Sequence, residues 1–363
     1  MKYVRSFDGL RAVSIFFVLL AHLGIYRIFE TGSFGMTHVW PLFSGETGVT
    51  VFFALSGFLI TRILLIEQEK FGQINLKNFY IRRFLRLLPP LVVFFTLVFV
   101  LMRTHRIDES RTSLLYSFFY LYNFVPNGIY ISELAHTWSL AVEEQFYFTW
   151  PLFLLLLRPR KSLYIGMLLI GLCIVAKVVL PGMSVSYFYR TNRWFFPAVA
   201  PIIIGSMSAI LLAEYKQLPQ LIAGKYRLCL AAALVFFLSP LYLPDSLVDY
   251  AYMFQAIAAS LLLAILLLCP DIALSKFLGW RPLVYIGKIS YSLYVFQGLF
   301  LRNAPGGPLL IHKFPLNILL TFIVAILSYH FVETPILRLK EKFVTREKKT
   351  SKSTIYAQET LRT

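Results

Sequence analysis

Apolar runs recur along the whole of this 363-residue chain. At about 16 to 22 residues, each is long enough to cross a hydrocarbon core of about 30 Å as a helix. Ten such runs lie near residues 7–26, 47–66, 88–102, 136–157, 163–180, 194–213, 228–243, 249–269, 283–301 and 315–333. They predict an all-α, polytopic membrane helix bundle of about ten transmembrane helices. The stretch 112–125 is apolar but short, and reads as re-entrant or interfacial. Composition agrees, because a chain that is 58% hydrophobic and 15% charged, with a mean hydropathy of +0.69, lies outside the range of ordinary soluble domains.

The net charge of +17 is spread unevenly. With the N-terminus in the cytoplasm, ten spans put the large majority of the 35 Lys and Arg on the cytoplasmic side, which is the positive-inside pattern. Both termini are then cytoplasmic, the lipid bilayer is the surrounding partner, and the charge needs no nucleic acid to account for it. Residues 1–337 form the transmembrane domain, and residues 338–363 a basic tail attracted to lipid headgroups. Cys173, Cys229 and Cys269 fall inside spans with no metal or redox spacing, and read as core packing. No metal motif, glycine-rich phosphate loop or internal repeat is visible. The first span keeps its charges and no cleavage site of small residues follows it, so it is expected to remain as a helix.

That first span carries Asp8 and Arg11 at its start and His22 most of the way across. Eleven helical residues make about three turns plus roughly 20°, so Arg11 and His22 share a face about 16 Å apart along the axis. Ionisable groups in lipid are costly, and two on one face suggest function. Arg11 snorkelling to headgroups, with His22 bonded to a neighbouring carbonyl, is the plainer alternative. The loop that follows holds Glu30, His38, Trp40 and Glu46. Gly48 and Ser56-Gly57 in the second span would admit a neighbouring helix or a thin ligand.

Residues 75–90 read as a short amphipathic helix with Lys77, Arg82, Arg83 and Arg86, stopped by Pro89-Pro90. Arg83 and Arg86 are three apart and share a face, where guanidinium forks suit the phosphates of an anionic cofactor. Simple anchoring at the cytoplasmic surface is the other reading. In residues 136–151, His136, Ser139, Glu143 and Tyr147 fall on one stripe and Glu144 lies off it. Glu143 lies about 10 Å and His22 about 6 Å below the outer surface, so the two could meet, the carboxylate orienting the imidazole as a general base. A buried salt bridge or a helix cap remains open for Glu143. Spans five to eight read as scaffold. Ser290, Tyr291, Tyr294 and Gln297 form a polar stripe that could line a substrate path, and Glu333 reads as a structural ion-pair partner near the cytoplasmic surface.

Six stretches, SFDGLRAVSIFFVLLAH, GVTVFFALSGFLITR, FYIRRFLRLLPP, HTWSLAVEEQFYFTWP, GKISYSLYVFQ and HFVETP, together resemble, in order and spacing, the integral membrane acyltransferase-3 family, bacterial O-acyltransferases of surface polysaccharides. The resemblance implies a ten-helix bundle that moves an acyl group, most simply acetyl, from cytoplasmic acyl-coenzyme A to a carbohydrate hydroxyl of O-antigen, exopolysaccharide or another surface glycan, lipid-linked or free. It implies a multi-pass protein of the bacterial inner membrane. The family's first-helix pair maps onto Arg11 and His22, its paired-arginine motif onto Arg83 and Arg86, and its WSL-V-EE block onto Trp138, Ser139, Glu143 and Glu144. Some members carry a further C-terminal hydrolase-like domain, whereas this sequence ends in the basic tail.

On this reading, His22 oriented by Glu143 is the general base, and Arg11, Arg83 and Arg86 hold the coenzyme phosphates. Ser139, Glu144, Trp138 and Tyr291 bind substrate, and no metal takes part. A covalent acyl intermediate on His, or on Ser139 or Ser56, stays open. A transporter or flippase for a polysaccharide precursor or small polar metabolite would show broken helices in two related halves, which the sequence does not display. An acyl-coenzyme A sensor without turnover would keep the arginines and have no use for His22 and Glu143.

Overall fold

The structure is a computed structural model that describes residues 3–24, 40–182, 190–244, 247, 250–301 and 309–338. Glu30, His38, the side chain of Trp40 and the tail beyond Arg338 lie outside the described residues. Among the described residues every regular element is helical. The principal helices are α1 (Arg5–His22), α2 (Gly45–Phe71), α3 (Leu76–Arg103), α4 (Arg111–Phe118), α5 (Thr137–Leu156), α6 (Pro159–Gly182) and α7 (Phe195–Glu214). They continue as α8 (Gln217–Gly224), α9 (Tyr226–Phe237), α10 (Ala251–Leu268), α11 (Ala273–Leu278), α12 (Arg281–Phe300) and α13 (Leu316–Ser328), the last running through a π-helical segment, Tyr329–Glu333.

The all-α membrane fold is as expected, but the number of clear spans is smaller than ten. Among the described residues, six helices are long and apolar enough to cross a membrane, namely α2, α3, α6, α7, α10 and the α13 helix. A seventh would be α8 with α9, which meet at an 86° bend. Helices α1, α5 and α12 are 18, 20 and 20 residues long. They carry Asp8 and Arg11, Glu143 and Glu144, and Arg281 and Lys288, so hydropathy alone does not mark them. Asp8 is buried and Arg11, Glu143 and Glu144 are partly buried against protein, where such groups are tolerated, whereas Arg281 and Lys288 of α12 are exposed. The eight-residue α4 fits the short stretch read as interfacial.

Close helix contact sets the frame. A β-carbon at Gly57 of α2 would stand 1.9 Å from the Ile202 carbonyl oxygen of α7, and one at Gly205 would stand 2.0 Å from that of Ala54. The two backbones touch where both side chains are absent, which small residues permit between membrane helices. Gly57 therefore admits a helix. Helix α1 is seated in the same way, since a β-carbon at Gly287 of α12 would fall 1.8 Å from the Asp8 carbonyl oxygen. Helix α1 thus lies against α12 and α2, and α5 packs on α2 and α7. The buried Trp150 indole of α5 donates to Thr61 Oγ1 of α2 at 2.8 Å and stacks on Phe146, ring centroids 5.2 Å apart.

Pro89 and Pro90 do not stop a helix, as the sequence suggests they should; both lie inside the 28-residue α3. Each proline lacks an N–H, and in a membrane bundle neighbouring helices can satisfy freed backbone carbonyls. The carbonyls so freed are those of Leu85 and Arg86; next to them the Tyr291 hydroxyl of α12 donates to the Leu87 carbonyl at 2.7 Å and ties this turn to α12. The arginine stretch is consequently the first part of a long helix, held against α12.

Candidate active site

Helices α1, α2, α3, α5 and α12 enclose a cavity of about 200 Å³. Arg11, Arg83 and Arg86 line it together with Ser139, Glu143 and Tyr291, six of the side chains singled out by sequence. Three cations from two helices face one carboxylate. Arg11 is also held by Asp8, Nη1 to Oδ1 2.6 Å, and Asp8 accepts a second hydrogen bond from the Tyr3 hydroxyl at 2.5 Å. The Arg83 guanidinium carbon sits 4.6 Å from the centroid of the Tyr147 ring, a stacking that fixes its plane while leaving its edge free to donate. Glu143 takes its hydrogen bond from Ser56, and the charges of Arg83, Arg86 and Arg11 all act on it. Glu144 does not line the cavity, although the charge of Arg83 reaches it too.

At the far end of the cavity, Ser139 Oγ and the Tyr294 hydroxyl are 2.5 Å apart, and each contacts the His136 carbonyl at 3.1 Å. The His136 ring lies edge-on to Phe94 and Tyr294, with its Nε2 buried and without a hydrogen-bond partner. It is close enough to His22 for the charge of one ring to act on the other.

His22 is the last residue of α1 and is not part of the cavity lining. Its Nδ1 lies 2.8 Å from the Val18 carbonyl oxygen. A carbonyl can only accept, so Nδ1 carries the proton and Nε2 of the neutral ring is the basic nitrogen. The expected pairing of His22 with Glu143 does not form; Glu143 is hydrogen-bonded to Ser56, and a backbone carbonyl orients the imidazole instead. The depth estimate from each helix is compatible with contact, but α2 packs against both α1 and α5. The Arg193 guanidinium is near enough for its charge to act on His22.

Arg193 belongs to a second, larger chamber of about 550 Å³ on the other side of α2. It lies over the Trp138 ring, 5.2 Å from its centroid, and Trp138 in turn packs edge-on against Phe53. Lys177 of α6 faces the Tyr250 and Tyr252 rings of the same chamber at 5.7 and 5.6 Å. Val49 and Phe53 of α2 line both chambers and form the partition between them. Lys177, Arg193, Tyr250 and Tyr252 come from the region that reads as scaffold. A charged residue inside a span at Lys177, and Arg193 at the head of another, are the signals that point to them.

A family model described as an acyltransferase domain matches residues 4–331, nearly all of the transmembrane part. The chain belongs to the acyltransferase-3 family. It is 32% identical over 375 residues to the peptidoglycan O-acetyltransferase OatA of Listeria monocytogenes, an alignment covering 92% of this chain and 56% of that protein. It is 30% identical over 363 residues to the Bacillus subtilis protein named "Putative peptidoglycan O-acetyltransferase YrhL", covering 92% and 55%. The acyltransferase-3 chain described here therefore spans about half the length of these curated relatives. No solved structure matches it. Five of the six family-like blocks converge: the first-helix arginine, the paired arginines, the WSL-V-EE helix, Ser56 of GVTVFFALSGFLITR and Ser290, Tyr291 and Tyr294 of GKISYSLYVFQ meet at the small cavity, and His22 stands beyond it toward Arg193 of the larger chamber.

Proposed function

We propose that this multi-pass membrane protein is an O-acyltransferase that carries an acyl group, most simply acetyl, from acyl-coenzyme A to a hydroxyl of a bacterial surface glycan. The plasma membrane is the setting this implies. The observation that carries the reading is the pair of chambers on either side of Val49 and Phe53, an arginine-lined one and an aromatic one, with His22 near the junction.

Arg11, Arg83 and Arg86 suit the phosphates of the donor, since guanidinium groups bind phosphate through charge-assisted, often bidentate hydrogen bonds. Glu143 and Ser56 keep those cations spaced when the donor is absent. The thioester would enter the cavity toward Ser139 and Tyr294. The aromatic faces and cations of the larger chamber suit a sugar, with Trp138 as a stacking platform. Peptidoglycan is the first acceptor to test because the relatives' names specify it; O-antigen and exopolysaccharide, lipid-linked or free, come after.

In the reaction, Nε2 of His22 takes the proton as the acceptor oxygen attacks the thioester carbonyl. The C–O bond forms, the C–S bond breaks, and the imidazolium returns its proton to the departing thiolate. The ester and free coenzyme A are the products. Mass spectrometry of wall glycans from cells with the gene intact, deleted or encoding His22→Ala tests this. An acyl mass on the glycan only with the intact gene supports transfer. Identical glycans in all three, with no coenzyme A release by purified protein, would overturn it and leave the transport reading.

A further inference from the structure

A third chamber, of about 800 Å³, opens where α1 begins and α2 ends, between those helices and α10 and α11. It shares no lining residue with the arginine cavity or the aromatic chamber. Four cationic side chains surround it, Arg5, Arg62, Lys70 and Lys276, against the single carboxylate of Glu69. Among the described residues none of these four makes an ion pair, whereas Arg82, Arg103, Arg111 and Arg160 all do.

Arg62 distinguishes this chamber from a merely solvated basic rim. It is half-buried, about two and a half turns from the end of α2, and its Nε is buried with no hydrogen-bond partner. A buried N–H on a charged group left unpaired costs more than a neutral one, and native proteins seldom leave such a group without an acceptor. Ile66 of α2 and Leu267 of α10 supply an apolar wall beside it. The ligand that meets both features has a compact negative charge joined to an apolar body.

We propose that this chamber binds a phosphate group of net negative charge, held by the half-buried Arg62 within it and by the exposed Arg5, Lys70 and Lys276 at its rim. The phosphate is that of an anionic phospholipid headgroup or of a soluble nucleotide. The site is separate from the reaction chambers, so it stands or falls independently of the function proposed above.

The test uses the full chain purified in a zwitterionic detergent, with thermal unfolding followed as ligand is added. The probes are short-chain phosphatidylglycerol, short-chain phosphatidylcholine and adenosine 3′,5′-bisphosphate. Protection by phosphatidylglycerol identifies a lipid site, and protection by the bisphosphate identifies a nucleotide site here only where it survives Arg83→Gln with Arg86→Gln, since those arginines are proposed to hold the coenzyme phosphates. In either case Arg62→Gln with Lys276→Gln should weaken binding by about tenfold or more, the loss expected for a charge-assisted hydrogen bond. Arg103→Gln, on an exposed residue at the other end of α3, should leave it unchanged. Glu69→Gln, which removes the one opposing charge from an exposed position, should tighten binding about twofold to fivefold, and this readout holds even if the double variant does not fold. The proposal fails if neither anionic probe protects, if phosphatidylcholine protects as well as phosphatidylglycerol, if Glu69→Gln has no effect, or if a folded double variant binds as tightly as the parent.

Discussion

His22 Nδ1 stands 2.8 Å from the carbonyl oxygen of Val18, one turn back along the same helix. This contact fixes the tautomer that leaves Nε2 basic, and it uses no side chain from another helix. Replacing His22 by Ala should therefore lower coenzyme A release by about 100 to 10,000-fold, the usual range for a general base. Because His22 is half-buried at a helix end, thermal stability should change little. A folded His22→Ala protein that keeps more than about a tenth of the rate rules out the assignment.

Arg83 and Arg86 line the small cavity from adjacent turns of α3. Lysine keeps the charge but loses the planar fork, so Arg83→Lys and Arg86→Lys should each raise the KM for the acyl donor by about tenfold, with kcat changed less. Steady-state kinetics with varied donor at saturating acceptor reads this. A loss confined to kcat, with KM untouched, would place these arginines outside donor binding.

Trp138 sits beneath the Arg193 guanidinium in the aromatic chamber. Trp138→Ala removes both the platform and its cation–π contact, and should raise the KM for the glycan by about tenfold while sparing that for the donor. Trp138→Phe should recover much of the difference. Equal effects on both substrates would argue against a chamber reserved for the acceptor.

Gly57 and Gly205 are in backbone contact across α2 and α7. Adding a side chain at either one forces the helices apart, so Gly57→Val and Gly205→Val should each destabilise the protein by about 1 to 3 kcal/mol or more. The check is the unfolding midpoint followed by size-exclusion chromatography after heating. Gly171, where a β-carbon meets nothing within 4 Å, is the matched control.

Residue spacing along a single helix was a good guide to the small cavity. Arg83 with Arg86, and Ser139 with Glu143, face one space as their helical intervals require. Lateral position is what such intervals leave out. Arg11 and His22 share a face of α1, yet one lines the cavity and the other stands by the second chamber, because the helix passes from one set of neighbours to another along its length. The same limit led Glu143 toward His22, whereas α2 supplies its partner through Ser56. Pro89 and Pro90 read as a stop because proline breaks an isolated helix, whereas this one continues packed on α12, whose Tyr291 bonds the adjacent Leu87 carbonyl from some two hundred residues away in sequence. Lys177 and Arg193 are ordinary cations until Tyr250, Tyr252 and Trp138 are brought against them.

The partition at Val49 and Phe53 also bears on how such a protein can diversify. The small cavity draws on α1, α3 and α12, and the larger chamber on α6, α7 and α10; only α2 and α5 serve both. If the chambers divide acceptor and donor as proposed, mutations on α6, α7 or α10 reshape what is accepted without touching the residues that hold the donor. Lineages could thus exchange one glycan for another by drift on a single flank of the bundle, while Val49 and Phe53, answerable to both sides, would be the positions least free to vary.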